Sequence, residues 1–172
     1  GGGVELTLTS LTQGLVMRGH RLTVVAARGS TLPADCCDVT LVEVDGIDQP
    51  SWQHAAADQA IVIPRQGLLP ALWEVALNQA QTADAVINAG YDWLPLWLTP
   101  WVKPPVFHLI SMGDVSDVMR ETIEAVAGWD ARRLAFHTKR QANDFRLPLP
   151  ATVVGNGFDL SRYTMCSGKD GP

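Results

Sequence analysis

Three places in the sequence carry residues that could bind a ligand or take part in chemistry. At the first, Gly1 to Gly3 precede apolar residues at helical spacing, which predict a helix from residue 4 to residue 18. Glycine lets a backbone approach a ligand closely, and the free N–H groups at a helix N-terminus attract phosphate. We therefore expect Gly2 and Gly3 to contact a phosphate group. A flexible terminus is the alternative, and the third glycine of a dinucleotide-binding loop is missing from the pattern.

His108 marks the second place. It belongs to an apolar segment, residues 105 to 110, that predicts a strand, and Ser111 and Met112 follow directly. In a parallel α/β sheet the carboxyl ends of the strands border the ligand crevice, so His108 is a candidate catalytic residue. Ser111 and Met112 are candidate binding residues for the same reason. A histidine in an apolar strand is more often a hydrogen-bonded core residue, and this alternative stays open.

The third place is the segment from Asn156 to Asp159, which follows a predicted strand over residues 151 to 154. Asn-Gly is a common turn dipeptide, because both residues tolerate the backbone conformations that tight turns need. A simple turn therefore accounts for Gly157 without any ligand.

The segments between these places alternate between strand and helix. Apolar, β-branched runs predict strands over residues 21–27, 39–45, 84–89, 105–110, 134–138 and 151–154, and helical periodicity predicts helices over residues 4–18, 68–80, 115–126 and 139–145. Residues 46 to 66 are predicted to form a loop with one helical turn near residues 53 to 59. This alternation predicts an α/β fold with a Rossmann-like, doubly wound, mostly parallel sheet.

Composition limits the class of protein. The chain has 172 residues, 47% of them hydrophobic, with a net charge of −5, which suits one cored domain and disfavours nucleic acid as a partner. The longest uncharged stretch after Asp92 is too short and too rich in proline to span a membrane. Cys36, Cys37 and Cys166 show no zinc-site spacing, and we expect reduced thiols in a cytoplasmic protein without a metal or cofactor.

Four short motifs occur in one order along nearly the whole chain. They are GGVE (Gly2 to Glu5), RGH (Arg18 to His20) followed by a strand, the strand with His108, and NGFD (Asn156 to Asp159). In this order and spacing the chain resembles the amino-terminal half of a GT-B glycosyltransferase of family four. The combination is far more specific than any one of the motifs.

The resemblance implies a hexosyltransferase-type reaction, the retaining transfer of a sugar from a nucleotide diphosphate sugar to an acceptor, without a bound metal. The donor nucleotide would be held mainly by a second half, so this chain alone would be inactive. Residues 1–160 would form the amino-terminal domain, without the family's first strand, and residues 161–172 a linker. The resemblance implies catalysis by His108, substrate binding by Gly2, Gly3, Glu5, Ser111 and Met112, and a hinge at Asn156, Gly157 and Asp159.

Alternatives remain at two levels. A GT-B-like epimerase or phosphorylase would share the fold, and a ligand-binding module without chemistry is favoured if His108 lies buried in the core.

Trp93, Trp97 and Trp101 are four residues apart, so a helix would place them on one face. That face could contact a hydrophobic acceptor or the periphery of a membrane, but packing onto the sheet is the favoured interpretation.

Overall fold

Strands and helices alternate along the residues that the computed structural model describes, which are 3–48, 56–155 and 157. The strands are β1 (Thr23–Ala27), β2 (Thr40–Val44), β3 (Val86–Asn88), β4 (Val106–Ile110), β5 (Leu134–Phe136) and β6 (Thr152–Val153). The helices are α1 (Gly3–Val16), α2 (Leu68–Ala80), α3 (Trp93–Leu98), α4 (Asp117–Asp130) and α5 (Lys139–Ala142). This alternation confirms the predicted α/β class.

The paired strands of the described chain are parallel. β1 pairs with β2, and a larger sheet has the order β3, β4, β5, β6. In the larger sheet His108 lies between Asn88 and Leu134. The parallel, Rossmann-like arrangement expected from the sequence is thereby confirmed, with its strands divided over two sheets. Because β4 and β5 are parallel neighbours, their carboxyl ends meet at one edge.

The core of the larger sheet lies on one of its faces. In β4, His108 and Ile110 are buried, whereas Phe107 on the opposite face is 38% exposed. Met119 and Ile123 of α4 pack with Ile110 on the buried face. The strands β3 to β6 follow one another in one direction, and right-handed crossovers then place the connecting helices on the same side of the sheet. The face that carries Phe107 is consequently the more exposed one.

Helix α2 is the main packing link between the two sheets. It packs on β1 and β2 and also contacts α3, which connects β3 and β4 of the larger sheet. One edge of β1 and one edge of β3 are unpaired within the described residues. Helix α1, which leads into β1, buries Thr12 but leaves Val4, Leu6 and Leu8 exposed. The half that contains β1 and β2 therefore has less packing around it than the larger sheet.

At Gly46 the backbone that follows β2 runs against the start of α2. The Ile47 N–H donates to the Gln66 carbonyl, and the Leu68 N–H donates to the Ile47 carbonyl, both at 2.8 Å. A Cβ atom at position 46 would overlap with Cα of Leu68 and lie 2.6 Å from its backbone nitrogen. This close approach of two backbones therefore requires glycine.

The ends of several elements differ from the predicted ones. The strand predicted to end at residue 138 ends at Phe136, because Thr138 instead caps α5: its hydroxyl accepts a hydrogen bond from the Gln141 N–H at 3.1 Å. At the start of α4, Ser116 occupies the cap position without a side-chain cap hydrogen bond. Of the helical turn predicted near residues 53 to 59, residues 53 to 55 lie outside the described residues; residues 56 to 59 form a turn in which the Gln59 N–H donates to the Ala56 carbonyl at 3.0 Å.

The prediction that the three spaced tryptophans pack onto the sheet was wrong for two of them. Trp93 packs at the margin of the core and stacks on Trp97, with 5.5 Å between ring centroids. Trp97 is 51% exposed and Trp101 is 76% exposed. Helix α3 gives way to a short 3-10 helix over Thr99–Trp101, which breaks the four-residue spacing, and it is Leu96 that α3 buries in the core.

Candidate functional site

An open cleft lies at the edge of the larger sheet where β4 and β5 end. Its volume of about 370 Å³ is within the range of small-molecule sites. The residues that line it come from the segments after these two strands and from α5 and its flank: Ser111, Gly113, His137, Thr138, Arg140, Gln141 and Asp144. This is the place where α/β folds of this kind bind ligands.

The segment after β4 is held in place through its carbonyl groups. The Gln141 side-chain amide donates to the carbonyls of Ile110 at 2.9 Å and Met112 at 3.0 Å. The Tyr91 hydroxyl donates to the Gly113 carbonyl at 2.9 Å. Burial, with a smaller contribution from nearby Asp114, raises the pKa of Tyr91, so its hydroxyl keeps its proton and remains a donor. One wall of the cleft is thus fixed before any ligand binds.

The segment after β5 is held by the Gln141 side chain and by the backbone carbonyl of Gly155. The side-chain Oε1 of Gln141 accepts a hydrogen bond from the backbone N–H of His137 at 3.0 Å. The His137 ring places Nδ1 3.1 Å from the Gly155 carbonyl oxygen. A carbonyl only accepts hydrogen bonds, so this contact assigns the proton of the neutral ring to Nδ1 and leaves a lone pair on Nε2.

His108 lies two residues before the carboxyl end of β4, and its ring is enclosed. The side chain is 1% exposed. The Thr99 hydroxyl donates to the Pro95 carbonyl, so at 2.6 Å it accepts from Nε2 of His108, while Nδ1 accepts from the Asn88 amide at 3.1 Å. Burial lowers the pKa of His108 to about 4, so the ring is neutral at ordinary pH. This geometry matches the core-histidine alternative, and the catalytic role of His108 stays a prediction.

The other predicted site residues are spread over the chain. Ser111 lines the cleft, and Met112 contributes its carbonyl to the fixed loop. Gly3 and Glu5 are exposed in α1, which supplies none of the described residues that line the cleft. Gly157 is exposed. Gly2, Asn156 and Asp159 lie outside the described residues.

Sequence reasoning did not select His137, Thr138, Gln141 or Asp144. The available signal was the junction between the strand predicted from residue 134 and the helix predicted from residue 139. Because parallel strands end at the same edge of a sheet, that junction had to lie near Ser111.

We expect Gln141→Glu to destabilise the fold by about 2 kcal/mol. The carboxylate can still accept from the His137 N–H, but it cannot donate to the two partly buried carbonyls and is repelled by them. Unfolding by urea, followed by circular dichroism, measures the change. Gln59→Glu, at an exposed loop position, is the matched control and should change stability by less than about 0.5 kcal/mol. Equal unfolding midpoints for the two variants would show that Gln141 does not hold the loop.

Two further classes of feature were sought in the described residues. They contain no group of three or more His, Cys, Asp or Glu side chains that could hold a metal ion. They also contain no helix that combines the length and the apolar character needed to cross a membrane. Comparison of the sequence with models of known protein families, and with curated proteins, finds no match.

Proposed function

We propose that this chain is the acceptor-side half of a GT-B glycosyltransferase that transfers a sugar, with retention, from a nucleotide diphosphate sugar to an acceptor. The observation that carries the proposal is the open cleft, lined mainly by polar residues, at the carboxyl ends of β4 and β5, which is the ligand-binding edge of this fold. The ordered sequence motifs from GGVE to NGFD support the same function.

The polar groups of the cleft suit a sugar. Ser111 and Arg140 supply donors, and Asp144 and His137 supply acceptors. Each sugar hydroxyl can both donate and accept a hydrogen bond, so a mixed lining can satisfy it. Because the cleft is open on one side, a second domain could close over a bound substrate and exclude water.

The carboxylates available for catalysis limit the mechanism. Asp144 is the one carboxylate among the described residues that line the cleft, so a pair of carboxylates for acid and base catalysis is missing from this part of the chain. In the proposed reaction the bond between the anomeric carbon and the diphosphate breaks, and the acceptor oxygen bonds to the same face of that carbon. The proton of the acceptor goes to the leaving phosphate.

The proposal that a second half binds most of the donor nucleotide predicts weak donor binding by this chain. If a second half holds the nucleotide, isothermal titration of the chain with UDP-glucose or GDP-mannose should give a Kd no tighter than roughly millimolar. Gly3 at the start of α1 would then add only part of the contacts to the diphosphate. Micromolar affinity of the isolated chain for either donor would contradict the assignment to the acceptor side.

A ligand-binding module without chemistry is the second candidate, and the enclosed ring of His108 favours it. Release of nucleoside diphosphate from a sugar nucleotide by the full-length protein separates the two candidates. The transferase should release it at a rate that rises with acceptor concentration, whereas a binding module should release none. Proton NMR of the product then shows whether the configuration at the anomeric carbon is retained.

A further inference from the structure

We propose that Asp144 and His137 form an acceptor subsite that binds two neighbouring hydroxyl groups of an uncharged sugar or polyol. The inference rests on the proposed function, because it assigns the acceptor to the same cleft. It adds the chemical class of the acceptor and the two side chains that would select it.

The first argument is the position of the Asp144 carboxylate. Its Oδ2 atom lies only 2.5 Å from the point that a Cβ atom at residue 113 would occupy. The carboxylate therefore stands against the loop after β4, in space that is free because Gly113 has no side chain. The Gly113 carbonyl is itself anchored by Tyr91, so the carboxylate faces a fixed wall of the cleft.

The second argument is that the polar groups of the cleft retain unused hydrogen-bonding capacity. Within the described residues, the Asp144 carboxylate, Nε2 of His137 and the Ser111 hydroxyl have no hydrogen-bond partner. Arg140 lies four residues before Asp144 and also lines the cleft, yet the two side chains form no ion pair. Both charges thus remain available to a ligand.

The third argument is the mixture of charges, which selects against charged ligands. A cationic ligand attracted to Asp144 would meet the Arg140 guanidinium, and an anionic ligand attracted to Arg140 would meet the Asp144 carboxylate. A neutral polyol avoids both conflicts, because its hydroxyls donate to Asp144 and His137 while their oxygens accept from Arg140 and Ser111. Two neighbouring hydroxyls can share the two oxygens of one carboxylate.

The test measures binding of methyl α-D-glucopyranoside, methyl α-D-galactopyranoside and methyl α-D-mannopyranoside to this chain by NMR titration. At least one glycoside should shift the amide signals of Ser111, Gly113 and His137. Asp144→Asn should weaken that binding at least about tenfold, because it removes a charged acceptor of hydrogen bonds. Asp84→Asn is the matched control: this exposed aspartate precedes β3, at the opposite edge of the sheet, and its loss should leave affinity unchanged.

Gly113→Ala provides a second variant that keeps the carboxylate but displaces it. Its methyl group would meet the end of the flexible Asp144 side chain, so the fold should persist while glycoside binding weakens. Unchanged glycoside affinity in both cleft variants, or no shift of the three amide signals in the wild type, would overturn the subsite. The proposed function is judged separately by nucleoside diphosphate release, so a subsite that fails while release persists leaves the transferase assignment standing.

Discussion

Replacing Gly46 with alanine is expected to lower the free energy of unfolding by about 3 kcal/mol or more. The added Cβ would overlap with the backbone of Leu68 rather than with a movable side chain. The segment must shift, which strains the backbone and weakens the two hydrogen bonds that Ile47 makes with Gln66 and Leu68. Urea unfolding measures the loss.

Gly128→Ala is the matched control for this substitution. Gly128 is exposed in α4, and a Cβ atom there has no neighbour within 4 Å. Because alanine favours a helix more than glycine does, the control should gain up to about 1 kcal/mol of stability. An unfolding midpoint for Gly46→Ala at or above that of the wild type would mean that the contact between the two backbones is not rigid.

Lowering the pH from about 6.5 to about 4 should destabilise the protein, because the buried His108 ring stays neutral in the fold over this range. The pKa of His108 in the fold is about 4, below the ordinary value of 6.5, so the unfolded chain binds the proton first. The stabilisation is complete above pH 6.5 and is lost as the pH falls to about 4, by up to about 3 kcal/mol. Asp130, whose pKa is lowered to about 2 mainly by hydrogen bonds from Arg132, contributes to acid unfolding only below this interval.

His108→Gln should remove this part of the pH dependence, whereas His20→Gln, at an exposed position, should leave it in place. Urea unfolding at a series of pH values gives the dependence of stability on pH, and an identical dependence in the wild type and His108→Gln would contradict the assignment.

His108→Ala should also lower stability by about 2 kcal/mol or more, since it leaves a cavity and unpaired partners. A turnover roughly 10²-fold lower in the folded full-length variant, with stability unchanged, would instead support a catalytic His108.

Helix and strand types were predictable where the hydrophobic period was long and unbroken. The apolar positions of residues 68 to 80 predicted α2 with its observed bounds, and the β-branched segment before Ser111 predicted β4 to within one residue. The division into two sheets was not predictable, because the pairing of strand edges depends on contacts distant in sequence. The exposure of Trp101 was missed because the helix changes to 3-10 geometry after Leu98.

The location of the candidate site was predictable from the sequence, but most of the residues that form it were not. The end of β4 located Ser111 correctly at the cleft. Whether His108 faces the crevice or the core depends on which face of β4 the helices cover, and a single strand does not encode this. The role of Gln141 depends on three hydrogen bonds that join the segments after two strands. Such a link forms only when tertiary structure brings those segments together.

Because α2 is the main contact between the two sheets, the free energy needed to open the structure locally should differ along the chain. The residues around β4, β5 and α4 share a continuous buried cluster, so they should open only when the whole protein unfolds. The pair β1 and β2 depends mainly on one face of α2 and keeps an unpaired edge within the described residues. This pair should therefore open as a separate cooperative unit at lower free energy, while the cleft at the ends of β4 and β5 remains intact.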